Sequence, residues 1–284
     1  MALLDRFRNP NLKFLAHPTP HSPDKPILKV EGLTVEYASG AALDNLDFEL
    51  LRGERLAVVG PNGAGKSTLF KVIAGVLRPS RGLVEVAGHE PGGHICIAYV
   101  PQRSQVDWNF PATVADVVMM GRSGKLGLIR WPTARDWHLV NQALTTVRLD
   151  DLANRQIQEL SGGQQQRMFI ARALAQEAEL ILMDEPLTGL DTRAQDELFD
   201  ILELLHEQGV TVMIALHDLE IASQRFDRVM LLNRRLVGLG LAEEVFKPEI
   251  LLAAYGSHLR LLPGRNGTLA LGDSCCDDGE HDHD

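Results

Sequence analysis

Nine residues, GPNGAGKST at 60–68, constrain this chain more than any others. They follow the apolar run RLAVV at 55–59 and precede the helix-like STLFKVIAG at 67–75. A strand must therefore turn directly into a helix through a loop containing Gly60, Gly63 and Gly65. Glycine lets that backbone wrap tightly, so several N–H groups point into one concavity. The helix N-terminus adds partial positive charge, which favours an anion there. The pattern G-x-x-x-x-G-K-[ST] runs from Gly60 to Ser67 and is the phosphate loop of nucleoside triphosphate sites. Lys66 supplies a cation for the β- and γ-phosphates, and Ser67 offers its hydroxyl to Mg²⁺. Pro61, Asn62, Ala64 and Thr68 complete the loop. ATP with Mg²⁺ is the expected ligand. A glycine turn that binds nothing is the bland alternative, and the strand before and helix after count against it.

A second motif follows at 180–186, LILMDEP. Its apolar run suits a buried parallel strand. Asp184, at the strand's end, is placed to hold Mg²⁺. Glu185 is a second carboxylate beside the metal. It reads either as a general base that polarises the attacking water or as a surface acid capping the next element.

The sequence LSGGQQQR at 160–167 decides between these. Here the chain resembles the ABC ATPase family, whose signature is matched in full from Leu160 to Gln164. The residues themselves agree. Ser161, Gly162 and Gly163 open a helix expected over 165–175 and present a hydroxyl and bare N–H groups to a second anion. An ordinary N-capped helix is the alternative. The resemblance implies a homodimer in which two ATPase subunits face head to tail, each signature loop, with Gln164, completing the other subunit's ATP site. It extends over roughly 27–240. Tyr37 matches the aromatic that stacks on adenine, and Gln102, in YVPQ, matches the glutamine that joins the Mg²⁺ site to the helical subdomain. TGLD at 188–191 matches the loop that crosses between subunits and carries Asp191, with Thr-Gly where Ser-Ala is frequent. His217 matches the histidine that contacts the γ-phosphate. Glu185, His217 and Gln102 are thus the catalytic candidates; Ser67, Gln102 and Asp184 are the metal candidates.

Within the family, DWNFPATVADVVMMGR at 107–122 is similar to the matching segment of ATPases that serve manganese, zinc or iron import. The resemblance implies integral membrane permease subunits as partners and, indirectly, an extracytoplasmic metal-binding protein. It places the chain at the cytoplasmic face of the membrane, held there by the permease. An importer ATPase for another substrate, such as an iron chelate, and a non-transport ABC ATPase are the alternatives. The segment 103–131 is the expected docking surface for the permease. It carries Trp108, Phe110, Met119, Met120, Leu126, Leu128, Ile129 and Trp131, and aromatics and Met are enriched at interface cores.

The fold class expected is α/β: a P-loop NTPase of the ABC ATPase fold, with a parallel-sheet RecA-like core, an N-terminal antiparallel β subdomain and an inserted α-helical subdomain. Residues 1–26 read as a disordered lead-in, broken by Pro10, Pro18, Pro20, Pro23 and Pro26. Residues 27–262 form the ATPase domain, with 27–102 and 176–240 as core and β subdomain and 103–175 as helical subdomain. Thr113 with Asp116, and Thr133 with Asp136, are capping-box pairs that start helices. Trp137, Val140, Leu144 and Val147 mark one helical face, as do Leu198, Ile201, Leu202 and Leu205. Residues 263–284 are expected to be a disordered acidic tail.

Charge and cysteine content narrow the classes further. The formal net charge is −10, and Asp273, Asp277, Asp278, Glu280, Asp282 and Asp284 lie in a tail without Lys or Arg. No basic footprint for nucleic acid is present. Three cysteines make no disulfide framework: Cys96 is alone, and Cys275 and Cys276 are adjacent. No apolar run approaches the ~18–20 residues that span a bilayer. The tail CCDDGEHDHD mixes thiol, imidazole and carboxylate groups but lacks the spacing of a closed structural metal site. It reads as a solvated acidic tail, with metal sensing as the alternative.

Overall fold

The computed structural model describes residues 25–91, 96–126, 131–256, 259–263 and 269–273. Strand β1 (Leu28–Tyr37) pairs antiparallel with β2 (Gly40–Leu50) on one edge and with β4 (Arg81–Val86) on the other. β3 (Arg55–Val59), between them in sequence, leaves for a second sheet. That sheet runs β5 (Ile97–Val100), β6 (Leu180–Asp184), β7 (Thr211–Leu216), β3, β8 (Arg228–Asn233), β9 (Arg235–Gly240). The first five are parallel, and β9 returns antiparallel to β8. The sequence reading contains no strand at β9. Its RLVGLG holds two glycines, which are depleted in strands, and its side chains are only half-buried.

Strand alternation divides this sheet between two cores. Ile181 and Met183 of β6 face one side with Val212 and Ile214 of β7; Leu180, Leu182 and Met213 face the other. The second side is closed by the three-stranded sheet and by α1 (Lys66–Ile73). The first is closed by helices, among them α2 (Val114–Met120), α4 (Ala134–Thr146), α5 (Gly162–Gln176) and α6 (Thr192–Glu207), while the short α3 (Ser123–Leu126) buries no residue. Three further helices, α7 (Leu219–Arg225), α8 (Ala242–Val245) and α9 (Pro248–Tyr255), lie beyond β7 and β9. Each fully buried Leu or Ile in these layers contributes about 1.5–3 kcal/mol.

Both threonine capping boxes form, at Thr113 with Asp116 and at Thr133 with Asp136. The face expected of α4 needs correction at Trp137, which is exposed, whereas Val140, Leu144 and Val147 are buried. Asp136 turns inward because its carboxylate serves two masters. One oxygen caps the helix through Thr133, and the other accepts from Arg122 Nε at 3.0 Å. Arg122 also donates to Glu177 at 2.8 Å and to the Ala175 carbonyl at 2.8 Å, and Lys125 pairs with Glu177 as well. This buried cluster ties α2 and α3 to α4 and to the end of α5.

Helix α5 begins at Gly162, earlier than the expected 165. Ser161 is its N-cap and Gln164 completes a capping box, so the glycines sit inside the first turn. At the other end of the chain, β10 (Leu259–Pro263) and β11 (Leu269–Asp273) form an antiparallel pair across position 263, where the acidic tail was expected to start. Regular pairing therefore continues to Asp273. The lead-in up to residue 24 and the tail from 274 lie outside the described residues.

Candidate functional site

Adjacent parallel strands of the large sheet end at one level. Val59 of β3 is level with Leu216 of β7, Ala215 with Asp184 of β6, and Met183 with Val100 of β5. The chain leaves these four ends through Gly60, His217, Glu185 and, one residue beyond Pro101, Gln102. Ligands in open α/β sheets bind outside the carboxyl ends of the strands, and all four groups meet there.

The phosphate loop closes around a cleft of about 190 Å³ lined by Ala42, Asn62, Gly63, Ala64, Gly65, Lys66, Ser67, Thr68 and Glu185. Two glycines are obligatory. A side chain at Gly60 would collide with the Leu232 carbonyl of β8. Gly65 has φ 97°, and a Cβ there would lie 2.6 Å from the Ala42 carbonyl oxygen. Gly65 is also the N-cap of α1 and has no side chain to occupy the free N–H groups. The buried Lys66 ammonium donates to the Gly60 carbonyl at 2.7 Å and to that of Pro61 at 3.3 Å, which holds it along the loop.

Facing the loop, Asp184 is buried at the end of β6. Its Oδ2 accepts from the Tyr99 hydroxyl at 3.3 Å, while Oδ1 is buried without a hydrogen-bond partner. Burial pushes its carboxyl above the ordinary value; the Ser67 and Tyr99 hydroxyls pull it back, and the Glu185 charge adds to the rise. Glu185 takes φ 50°, in the left-handed region, which costs a residue with a Cβ roughly 1–2 kcal/mol. Both its oxygens are engaged: Oε1 lies 2.6 Å from His217 Nε2, and Oε2 accepts from the Gln102 amide at 2.9 Å. The hydrogen bond with His217 holds the Glu185 carboxyl below its ordinary value; partial burial opposes this, and the His217 and Lys66 charges reinforce it.

Tyr37 stands half-exposed at the tip of the β1–β2 hairpin, paired with Gly40, on the same ribbon that sends Ala42 into the cleft. Ser161, Gly162, Gly163 and Gln164 do not line that cleft. The two glycines lie instead against the 188–191 loop and the start of α6: a Cβ at Gly162 would lie 3.4 Å from Leu190, and one at Gly163 would lie 2.9 Å from Ala194. Asp191 caps α6 by accepting from the Ala194 N–H at 2.8 Å. The structure thus brings the phosphate loop, Asp184, Glu185, Gln102 and His217 together and sets the 161–164 segment beside the 188–191 loop, while Tyr37 does not line the cleft. Sequence reasoning missed Ala42 and the Tyr99 hydroxyl. Tyr99 stands three residues before Gln102 in YVPQ, but which way its ring points depends on the β5–β6 register.

The family model described as ABC transporter matches residues 43–188. The manganese transport system ATP-binding protein MntA of Synechocystis sp. is 45% identical over 233 residues, covering 81% of this chain and 90% of its own. The chelated iron transport system membrane protein YfeB of Yersinia pestis is 43% identical over 241 residues, covering 83% and 81%. Among solved structures, a metal-chelate-type ABC transporter in an inward-facing conformation superposes with a TM-score of 0.74 at 34% identity, covering 84% of this chain and 91% of that one. Sequence identity over most of the chain therefore joins the loop, the carboxylate pair and the signature helix in one conclusion: this chain belongs to the ABC transporter family, as an ATP-binding subunit.

Proposed function

We propose that this chain is the ATP-hydrolysing motor of an importer for a divalent metal such as manganese, zinc or iron. The observation that carries the reading is Glu185. A carboxylate in left-handed backbone, gripped by Gln102 and His217 and facing the phosphate loop, is costly unless its position is used. Glu185 is the general base for the attacking water. His217 orients it and reaches the γ-phosphate. Lys66 turns from the loop carbonyls to the β- and γ-phosphates, and the N–H groups of residues 60–68 cradle them. Tyr37 stacks on adenine.

The donor set fits Mg²⁺. Asp184 offers a buried oxygen without a hydrogen-bond partner, the Ser67 hydroxyl is close enough to lower the Asp184 carboxyl, and Gln102 is adjacent through Glu185. When bound, Mg²⁺ held by these groups would offset the negative charge of the phosphates.

A cleft of about 190 Å³ is smaller than the ~300–1,000 Å³ of sites that enclose a whole small molecule. It suits the phosphate tail and leaves one side open. In this reading, a second copy closes that side, presenting Ser161, Gly162, Gly163, Gln164 and Asp191. The pair is held to permease subunits at the cytoplasmic face, with an extracytoplasmic metal-binding protein delivering cargo. Among the described residues no helix is long and apolar enough to cross a membrane; in this reading the permease supplies the path. The manganese assignment rests on MntA; an iron chelate is the second reading, favoured by YfeB and by the structural neighbour.

The test is reconstitution with the permease in vesicles. ATP-dependent uptake of Mn²⁺ or Zn²⁺ that stops with Glu185→Gln supports the proposal. Uptake of a chelated iron complex and not of free ions would select the second reading. Hydrolysis without uptake of either would remove both.

A further inference from the structure

Helix α5 carries a stripe that clamps it to β5 and the segment after it. Gln165, Phe169, Arg172 and Gln176 recur at helical spacing and lie along one face. Gln176 Nε2 donates to the Ile97 carbonyl at 2.6 Å, and Arg172 Nη2 donates to the Tyr99 carbonyl at 3.0 Å. The Trp108 ring meets Phe169 edge-on, with centroids 5.8 Å apart. Arg103 Nε donates to Gln165 Oε1 at 2.7 Å. Each rung reaches further along toward the signature loop, and the Arg103 rung is the last before it.

Two features distinguish that rung. Arg103 follows Gln102 directly, and Gln102 is bonded to Glu185. Gln165 follows Gln164 directly and is buried, so it is fixed in the first turn of α5. The Arg103 guanidinium also lies against Gly162, where an added Cβ would approach Nη1 to 3.0 Å. Trp108 Nε1 donates to the Arg103 carbonyl at 3.1 Å, which holds the backbone of the segment while the side chain spans the gap. One residue therefore joins the partner of Glu185 to the loop that, in the two-chain reading, meets the other subunit's nucleotide.

We propose that Arg103 is a positioning residue that sets the signature loop according to where Gln102 lies. The inference rests on the two-chain reading of the site. When Gln102 leaves Glu185 for bound nucleotide, the adjoining Arg103 shifts, and its bond to Gln165 turns the first turn of α5 with it. Arg103 touches neither nucleotide in its own cleft nor the reacting atoms. Its loss should leave single-chain ATP affinity intact and weaken the pairing that ATP drives.

The experiment uses the full chain carrying Glu185→Gln, so that ATP binds without turnover. Arg103→Ala and Arg103→Lys are added to it. Three quantities are read: ATP affinity at concentrations below dimerisation, the melting temperature, and the ATP-dependent dimerisation constant by analytical ultracentrifugation. Arg103 is exposed, so affinity and melting should stay close to the parent. Arg103→Ala should weaken ATP-driven dimerisation about 5- to 100-fold, the range of a typical coupling between sites. Arg103→Lys, which keeps a donor for Gln165, should recover part of it. Gln165→Met should give a similar loss, and Arg103→Ala combined with it should add nothing. Dimerisation of Arg103→Ala equal to the parent, or losses that simply add, would overturn the proposal. Should the Glu185→Gln chain itself form no ATP-dependent dimer, the two-chain reading fails first and takes this inference with it.

Discussion

The Gln102 amide donates to Glu185 Oε2 at 2.9 Å while His217 stands 2.6 Å from the other oxygen of the same carboxylate. Two elements from different parts of the chain, the end of β5 and the end of β7, thus hold one group at the end of β6. A carboxylate held this way keeps its charge, and its pKa lies below the ordinary value.

Replacing that carboxylate by its amide separates binding from turnover. In Glu185→Gln, Lys66, Asp184 and the loop still hold MgATP, so affinity should change little. Hydrolysis should fall about 10²- to 10⁴-fold, the usual contribution of a general base. Equilibrium binding of a fluorescent ATP analogue and steady-state phosphate release measure the two. Turnover near the parent rate would remove Glu185 from the reaction.

The separation of the phosphate cleft from the signature loop predicts complementation. Lys66→Ala disables the cleft, and Ser161→Arg fills the loop. Each should be inactive alone. Mixed, they form some dimers with one intact composite site, and activity should return to a fraction of the parent's. If dimers form by light scattering and no mixture hydrolyses ATP, one composite site is insufficient.

Much of this was legible in the sequence, for a physical reason. The phosphate loop, the carboxylate pair and the capping boxes are local: their chemistry depends on residues within a few positions of one another. Strands β3, β6, β7 and β8 are buried on both faces, so they read as apolar runs. What stayed hidden is non-local. Asp136 looks like a simple cap, yet it is also the partner of Arg122 from another helix. Trp137 follows the apolar spacing of α4 but projects outward, because Asp136 takes the inward direction beside it. The Tyr99 bond to Asp184 needs the β5–β6 register, and β9 needs β8 to pair with.

The Arg122 cluster gives a prediction about acid stability. Burial alone would raise the Asp136 and Glu177 carboxyls. Hydrogen bonds from Thr133 to Asp136 and from Lys125 to Glu177, with Arg122 bonding to both, outweigh it, and both groups lie below their ordinary values. A carboxyl with a depressed folded-state value stabilises the fold above its unfolded value, roughly pH 4, and loses that contribution as pH falls through the folded value. Arg122→Met should therefore cost about 3–5 kcal/mol near neutral pH, where it leaves buried charge uncompensated. The gap between parent and variant should narrow below about pH 4. Urea unfolding at pH 7, 5 and 3 measures it, and a gap independent of pH would assign the loss to packing instead.

The β10–β11 pair moves the natural truncation point. Cutting before Gly272 would remove part of β11, so the informative deletion is 274–284, which takes Cys275, Cys276 and every acidic residue beyond Asp273. ATPase activity should be unchanged, as the acidic composition of the tail leads one to expect. Calorimetry with Zn²⁺ and Mn²⁺ on both forms provides the contrast. A metal-dependent rate present in the full chain and lost on truncation would mean that the tail senses metal.

The last prediction concerns the segment expected to dock on the permease. Of the apolar residues in 103–131, Trp108 and Met119 pack against the helical core, whereas Phe110, Met120 and Trp131 are exposed; Leu128 and Ile129 lie outside the described residues. Trp131 is 88% exposed, an unusual position for so large an apolar side chain. The segment begins at Arg103, one residue beyond Gln102, so its backbone is connected to the groups around Glu185. Aromatic residues in such positions are common anchors of interfaces, and losing one typically costs more than ~1–2 kcal/mol of binding. Trp131→Asp buries no charge in the free subunit, so melting and ATP affinity should match the parent. Co-purification with the permease should fall at least tenfold, and ATP hydrolysis should no longer respond to transported metal. If Trp131→Asp assembles and transports normally, Trp131 lies outside the interface. A parallel loss with Phe110→Asp or Met120→Asp, in subunits that still bind ATP, would extend the docking surface to those residues.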